Sequence, residues 1–153
     1  MNKIWIYNDD GSFSLYHNDM EIGTLNRGDD WAKQLTTFNI YSENYKIKTR
    51  FGIFRKNRNC ILNEQGETII DIELGFNQKF KCQNRHLLLT FTDKPFWKWA
   101  IMEGNKVLTS YEINLSDPQI GPNIECSDEE YNNYIFDFIL GNLVLGKTAQ
   151  DFY

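Results

Sequence analysis

The chain has 153 residues, 41% of them hydrophobic and 15% aromatic, enough for one folded domain with a real core and too rich for a disordered chain. Its formal net charge of -5 argues against a protein built to wrap nucleic acid, since such domains are basic overall. The charge is uneven: residues 1–30 hold two cations and six anions, residues 31–59 hold seven and one, and residues 60–153 hold seven and fourteen.

The first residues, MNKIWIYNDDGS, carry one Lys and an apolar stretch of only four, too short for a secretory signal, so a cytoplasmic protein is expected. Apolar and polar residues then alternate in KIWIYN (3–8), FSLYH (13–17), YKIKTRFGI (45–53), TIIDIEL (68–74) and FWKWAIM (96–102). Period-2 alternation rich in β-branched and aromatic residues marks half-buried strands. Turn chemistry separates them in NDDG (8–11), NEQG (63–66) and EGN (103–105), and GDDWAKQL (28–35) offers one helical turn at most. Nothing before residue 115 is helical enough for a βαβ crossover, so an antiparallel meander is expected. LNEQGETIIDIEL (62–74) and IMEGNKVLTSYEI (101–113) share a plan of apolar residue, acidic turn with Gly, and strand, with YHNDMEIGTL (16–25) a looser copy. The alternative is chance likeness among hairpins.

NLSDPQIGPNIEC (114–126) holds two of the three prolines and reads as a connecting loop. After it comes a helix over about 128–145, with Ser127 as N-cap, Glu130 completing a capping box, and Gly146 at the C-terminal stop. Tyr131, Tyr134, Ile135, Phe138, Ile139, Leu143 and Val144 cover more than one side of it, and Phe136, Leu140 and Leu145 cover the rest. A helix apolar all round is buried all round. The run from Tyr134 to Leu145 holds Asp137 and Asn142 and is too short to span a bilayer. The expected fold is therefore a single mainly-β domain over 1–153, a closed antiparallel barrel of about ten short strands around one hydrophobic C-terminal helix.

CILNEQGETIIDIEL (60–74), its echo WKWAIMEGNKVLTSYEI (97–113), YKIKTRFGIF (45–54) and the helix at 128–145 together resemble the tubby C-terminal-like superfamily. That group includes tubby domains, LURP-one-related proteins and phospholipid scramblases. The resemblance covers most of the chain, although the chain is shorter than typical members. It implies a non-enzymatic barrel, with phosphoinositide binding on a basic face as in tubby domains, or action at membranes as in scramblases. No lipid-binding residue of the family maps onto a position here.

YKIKTRFGIFRKNR (45–58) holds six cations and no anion. Lys46, Lys48 and Arg50 share one side of a strand, and Arg55, Lys56 and Arg58 join them at the following turn. Such a positive field suits an anionic head group or a nucleotide phosphate. The competing expectation is a solvated face on which Asp71 and Glu73 of a neighbouring strand pair with the lysines. Trp97 and Trp99 share a face and are expected to pack on the helix rather than stack bases. His17 and His86 lack a companion ligand set, so no metal is expected, and no cofactor is implied. Cys60, Cys82 and Cys126 are odd in number with no C-x-x-C spacing, as in reduced thiols. Neither a nucleophile motif nor a glycine-rich phosphate loop is present. Asp137, inside an apolar helix, calls for a bonded partner in the core. The expected function is non-enzymatic binding of membrane phospholipid head groups or another anionic partner. The alternative is carriage of a small apolar ligand in an open barrel interior, and the position of the helix separates the two.

Overall fold

The alternating segments and their turns build a mainly antiparallel β structure. A computed structural model describes residues 2–27, 35–50, 52–54, 57–73, 77–92, 97–113 and 124–152. Seven strands form one sheet in chain order: β1 (Lys3–Tyr7), β2 (Phe13–His17), β3 (Met20–Asn26), β4 (Leu35–Ile40), β5 (Glu43–Arg50), β6 (Arg58–Leu62) and β7 (Thr68–Glu73). Five more form the second: β8 (Gln78–Cys82), β9 (Arg85–Thr92), β10 (Trp97–Glu103), β11 (Lys106–Ile113) and β12 (Ile124–Cys126). Strand β12 lies in the stretch expected to be only a loop, and it is held by pairing with Thr109–Tyr111 of β11. The helical turn expected at 28–35 falls mostly outside the described residues, and Leu35 opens β4.

Every described ladder joins strands that are consecutive in the chain, so hairpin turns set the topology. In the β2–β3 turn Asn18 and Asp19 take φ of 52° and 68°, and in the β8–β9 turn Gln83 and Asn84 take 55° and 60°. Two successive left-handed residues match the twist of tight hairpins, which is why amide and acidic side chains occupy these sites. The repeat visible in the sequence is a repeat of bent hairpins. β2–β3, β6–β7 and β10–β11 each shift register just before the turn, at Leu15/Tyr16, Ile61/Leu62 and Ile101/Met102. Bulges of this kind increase twist and bend the strand, so all three curve their sheets around the interior.

The interior is occupied by α1 (Tyr134–Phe152), which packs on β3 and β4 of one sheet and on β10 and β11 of the other. The helix begins later than the capping box implied. Asp128–Glu130 instead form a 3-10 turn, with Glu130 N–H donating to the Ser127 carbonyl and Asn133 N–H to that of Glu130, each at 3.0 Å. The Ser127 side chain makes no cap bond, and Glu130 is drawn to Arg85 at 2.7 Å and to Asn133 Nδ2 at 2.9 Å. Gly146 does not end the helix, whose backbone continues to Phe152. Among the described residues no ladder joins the two sheets, so hydrogen bonding there gives α1 a wall of two antiparallel sheets, with β7 beside β8.

Aromatic and aliphatic side chains fill the space between helix and sheets. Phe138 stacks on Phe38 at 4.9 Å between ring centres and meets the edge of Trp5 at 5.1 Å. Gly141 is needed where Trp5 crosses the helix, because an added Cβ would stand 2.5 Å from Trp5 Cζ2. On propensity alone Gly141→Ala would gain about 1 kcal/mol. Trp5 is pinned by its bond to Tyr111, so the clash wins and the substitution is expected to destabilise by about 1–3 kcal/mol. Urea unfolding measures the sign directly, and a more stable variant would mean that Trp5 does not press on α1.

Candidate functional site

Strand β5 turns Ile47 inward and holds Lys46, Lys48 and Arg50 in solvent, as its period-2 pattern requires. Strand β6 lies between β5 and β7, so the pairing of Asp71 and Glu73 with these lysines does not occur. Arg58, at the start of β6, takes both carboxylates instead: Nε bonds Asp71 Oδ1 at 2.7 Å and Nη1 bonds Glu73 Oε1 at 3.0 Å. These exposed pairs are worth about 0–1 kcal/mol each. Arg58 is thereby committed within the sheet, whereas Lys46, Lys48 and Arg50 form no ion pair among the described residues. Arg55 and Lys56 lie outside the described residues.

Lys46 and Lys48 border an open groove of about 650 Å³ across the outer face of β3–β6. Its polar lining includes Asn26, Asn39, Asn44 and Asn63. Asn39 is fixed by donating Nδ2 to Thr24 Oγ1 at 2.8 Å and accepting the Thr24 N–H at 3.2 Å. The one carboxylate among the described lining residues, Glu64, accepts from Asn44, whose N–H and Nδ2 both donate to its Oε1 at 3.0 Å. Two ammonium groups beside amide side chains in a concavity provide directional donors and positive charge for an oxyanion. Sequence reading found the two lysines. It missed the asparagines, because they come from separate strands and only the meander gathers them.

A second polar cluster lies in the core, and its strand partner also escaped sequence reading. Lys3 Nζ bonds Asp137 Oδ2 at 2.8 Å, with the two side chains 3% and 1% exposed. Tyr111 OH donates to Asp137 Oδ1 at 2.8 Å and accepts from Trp5 Nε1 at 3.0 Å. Burial pushes the Asp137 carboxyl above its ordinary range, against the opposing pull of Lys3. Lys3 Nζ also lies 3.9 Å from Cys126 Sγ and 5.3 Å from the centre of the Tyr134 ring. Burial raises the thiols of Cys60, Cys82 and Cys126, which keeps them protonated and poorly nucleophilic. His17 Nδ1 is 2.7 Å from Tyr134 OH, and burial, helped by the Lys3 cation, holds the imidazole below its ordinary pKa. Among the described residues the Nε2 of His17 has no hydrogen-bond partner. The signal for this cluster was present in part: Asp137 stands out in an apolar helix, and Lys3 shares the inward face of β1 with Trp5. Every charged member bonds another core group, so the cluster fixes how α1 docks.

Trp99 is buried and Trp97 partly so, each against Phe91, so this pair is packed in a wall and not presented as a stacking platform. Among the described residues no three His, Cys, Asp or Glu side chains gather as metal ligands, and no helix is long and apolar enough to cross a membrane. No protein-family model, curated protein or solved structure matches the chain.

Proposed function

We propose that the chain is a non-catalytic binding module that captures an anionic head group in the groove across β3–β6, with Lys46 and Lys48 as the charged contacts. The observation that carries this reading is the placement of those two lysines: exposed, without a carboxylate partner among the described residues, and bordering a concavity lined with asparagine. Desolvated oxyanions need both charge and directional donors, and this groove has both.

Among the described residues, the small space left beside α1 favours an outer site over carriage of an apolar ligand inside. The space between α1 and the strands at Ile47, Ile61, Ile72 and Leu89 is about 20 Å³, whereas small-molecule pockets measure roughly 300–1,000 Å³. We also propose that the two sheets act as one barrel wall. This is supported by the proximity of β7 and β8, and by Lys3 of β1 reaching Cys126 of β12. A hydrophobic C-terminal helix enclosed by curved hairpins is the arrangement that the tubby-like resemblance implies, and it supports a binding role of that general kind.

Calorimetric titration with inositol hexakisphosphate tests the groove. Lys46→Glu combined with Lys48→Glu is expected to weaken binding about a hundredfold, taking roughly 1.5 kcal/mol for each charge-assisted bond lost. Because both side chains are exposed, the melting temperature should hold. Affinity should also fall with salt, since exposed charges are screened beyond about 10 Å at 0.1 M. Unchanged affinity in the double variant would exclude the groove.

A further inference from the structure

Beyond β5 the chain runs through Gly52, Ile53 and Phe54, and the last two are 93% and 99% exposed. The other exposed large apolar residues, such as Ile4 and Tyr41, lie between 37% and 59%. Single apolar residues on a surface are ordinary, but two adjacent large ones stripped of nearly all packing are not. Gly52 N–H donates to Asn57 Oδ1 at 3.2 Å, so the base of this tip is tied across the hairpin. Cations flank the tip in sequence: Arg50 lies two residues before Gly52, Lys48 and Lys46 precede it on β5, and Arg55 and Lys56 come directly after Phe54. No acidic residue occurs from Tyr45 to Arg58.

We infer that this hairpin docks on an anionic lipid bilayer, with Ile53 and Phe54 entering the acyl boundary and Arg50 and Lys48 meeting the phosphates above it. The order of chemistry along the hairpin is the order of chemistry across half a membrane. An apolar tip suits the outer hydrocarbon, where interfacial side chains bury about 5–10 Å deep. At about 3.3 Å per residue, Arg50 and Lys48 stand along β5 at the height of the head groups. Long basic side chains extend to that level while their stems stay beside apolar groups. A folded protein partner would need a pocket for two side chains and a separate acidic rim, whereas a bilayer presents both as continuous layers. This inference builds on the groove reading, whose lysines belong to the same strand, and it names the partner: a head group taken from a membrane that the tip holds.

The test is co-sedimentation with phosphatidylcholine vesicles, with and without phosphatidylserine, beside calorimetry with soluble inositol hexakisphosphate. Wild type should sediment with the anionic vesicles and stay in solution with pure phosphatidylcholine. Ile53→Ser with Phe54→Ser should lower vesicle binding about tenfold or more, through lost apolar burial, and leave the soluble anion bound as before. Each basic residue removed at the surface should cost about fivefold. Both tip residues are almost wholly solvated, so the variant should melt with wild type and folding will not confuse the result. Wild type that binds the soluble anion but ignores vesicles, or a tip variant that sediments like wild type, would overturn the membrane inference and leave the groove standing. Tip-dependent sedimentation without binding of the soluble anion would support the membrane tip and remove the groove. Binding to neither would end both.

Discussion

Asp137→Ala is expected to cost about 3–5 kcal/mol of folding stability, because it leaves the Lys3 ammonium buried without its counter-charge. For a domain whose total stability is roughly 5–15 kcal/mol, that is a large fraction. The same change strips the Tyr111 hydroxyl of its acceptor in a region closed to water. An unsatisfied buried group of that kind adds about 1–3 kcal/mol of its own. Lys3→Met combined with Asp137→Leu should recover most of the loss, since a buried ion pair against an apolar core of like volume is close to neutral. The remaining deficit belongs to Tyr111. Urea unfolding of Lys3→Met, Asp137→Leu and the double variant closes the cycle. If Asp137→Ala melts within about 1 kcal/mol of wild type, the pair is solvated and does not fix the helix.

Ile139→Asp is expected to abolish folding. Ile139 is buried, and the space beside it is lined by Ile47, Ile61, Ile72, Leu89 and Leu143 with the neutral amides of Asn59 and Asn142, so among the described lining residues no cation answers a carboxylate. Placing a charge there costs several kcal/mol, in the range reserved for unpaired buried ions. The contrast with Asp137, two residues away, is instructive. There the same side chain is tolerated because Lys3 and Tyr111 meet it. Circular dichroism and thermal melting decide the matter, and a variant that melts like wild type would mean this face of α1 is exposed.

Much of the architecture was legible because two periodicities dominate the chain. Period-2 alternation located β1, β2, β5, β7 and β10, and the all-round apolar character of Tyr134–Leu145 required a helix covered on every side. Alternation could not say which face of β1 turns in. Ile4 and Ile6 are the more apolar pair, yet Lys3 and Trp5 are buried because Asp137 and Tyr111 satisfy them. The capping box misled for a related reason: Glu130 fits the local motif, but Arg85 on β9 competes for it from afar. The expected pairing of Asp71 and Glu73 with the lysines depended on strand order: β6 intervenes and its Arg58 takes both carboxylates, while Lys46 and Lys48 of β5 form no ion pair among the described residues. Local chemistry was readable, whereas partners set by tertiary neighbours were not.

The most direct measurement is a titration of isotope-labelled protein with inositol hexakisphosphate, followed by amide chemical shifts. Occupation of the groove predicts shifts concentrated at Asn26, Asn39, Asn44, Lys46, Lys48 and Asn63, weakening as salt is added. Shifts absent from β3–β6, or centred on the buried cluster around Lys3 and Asp137, would contradict it.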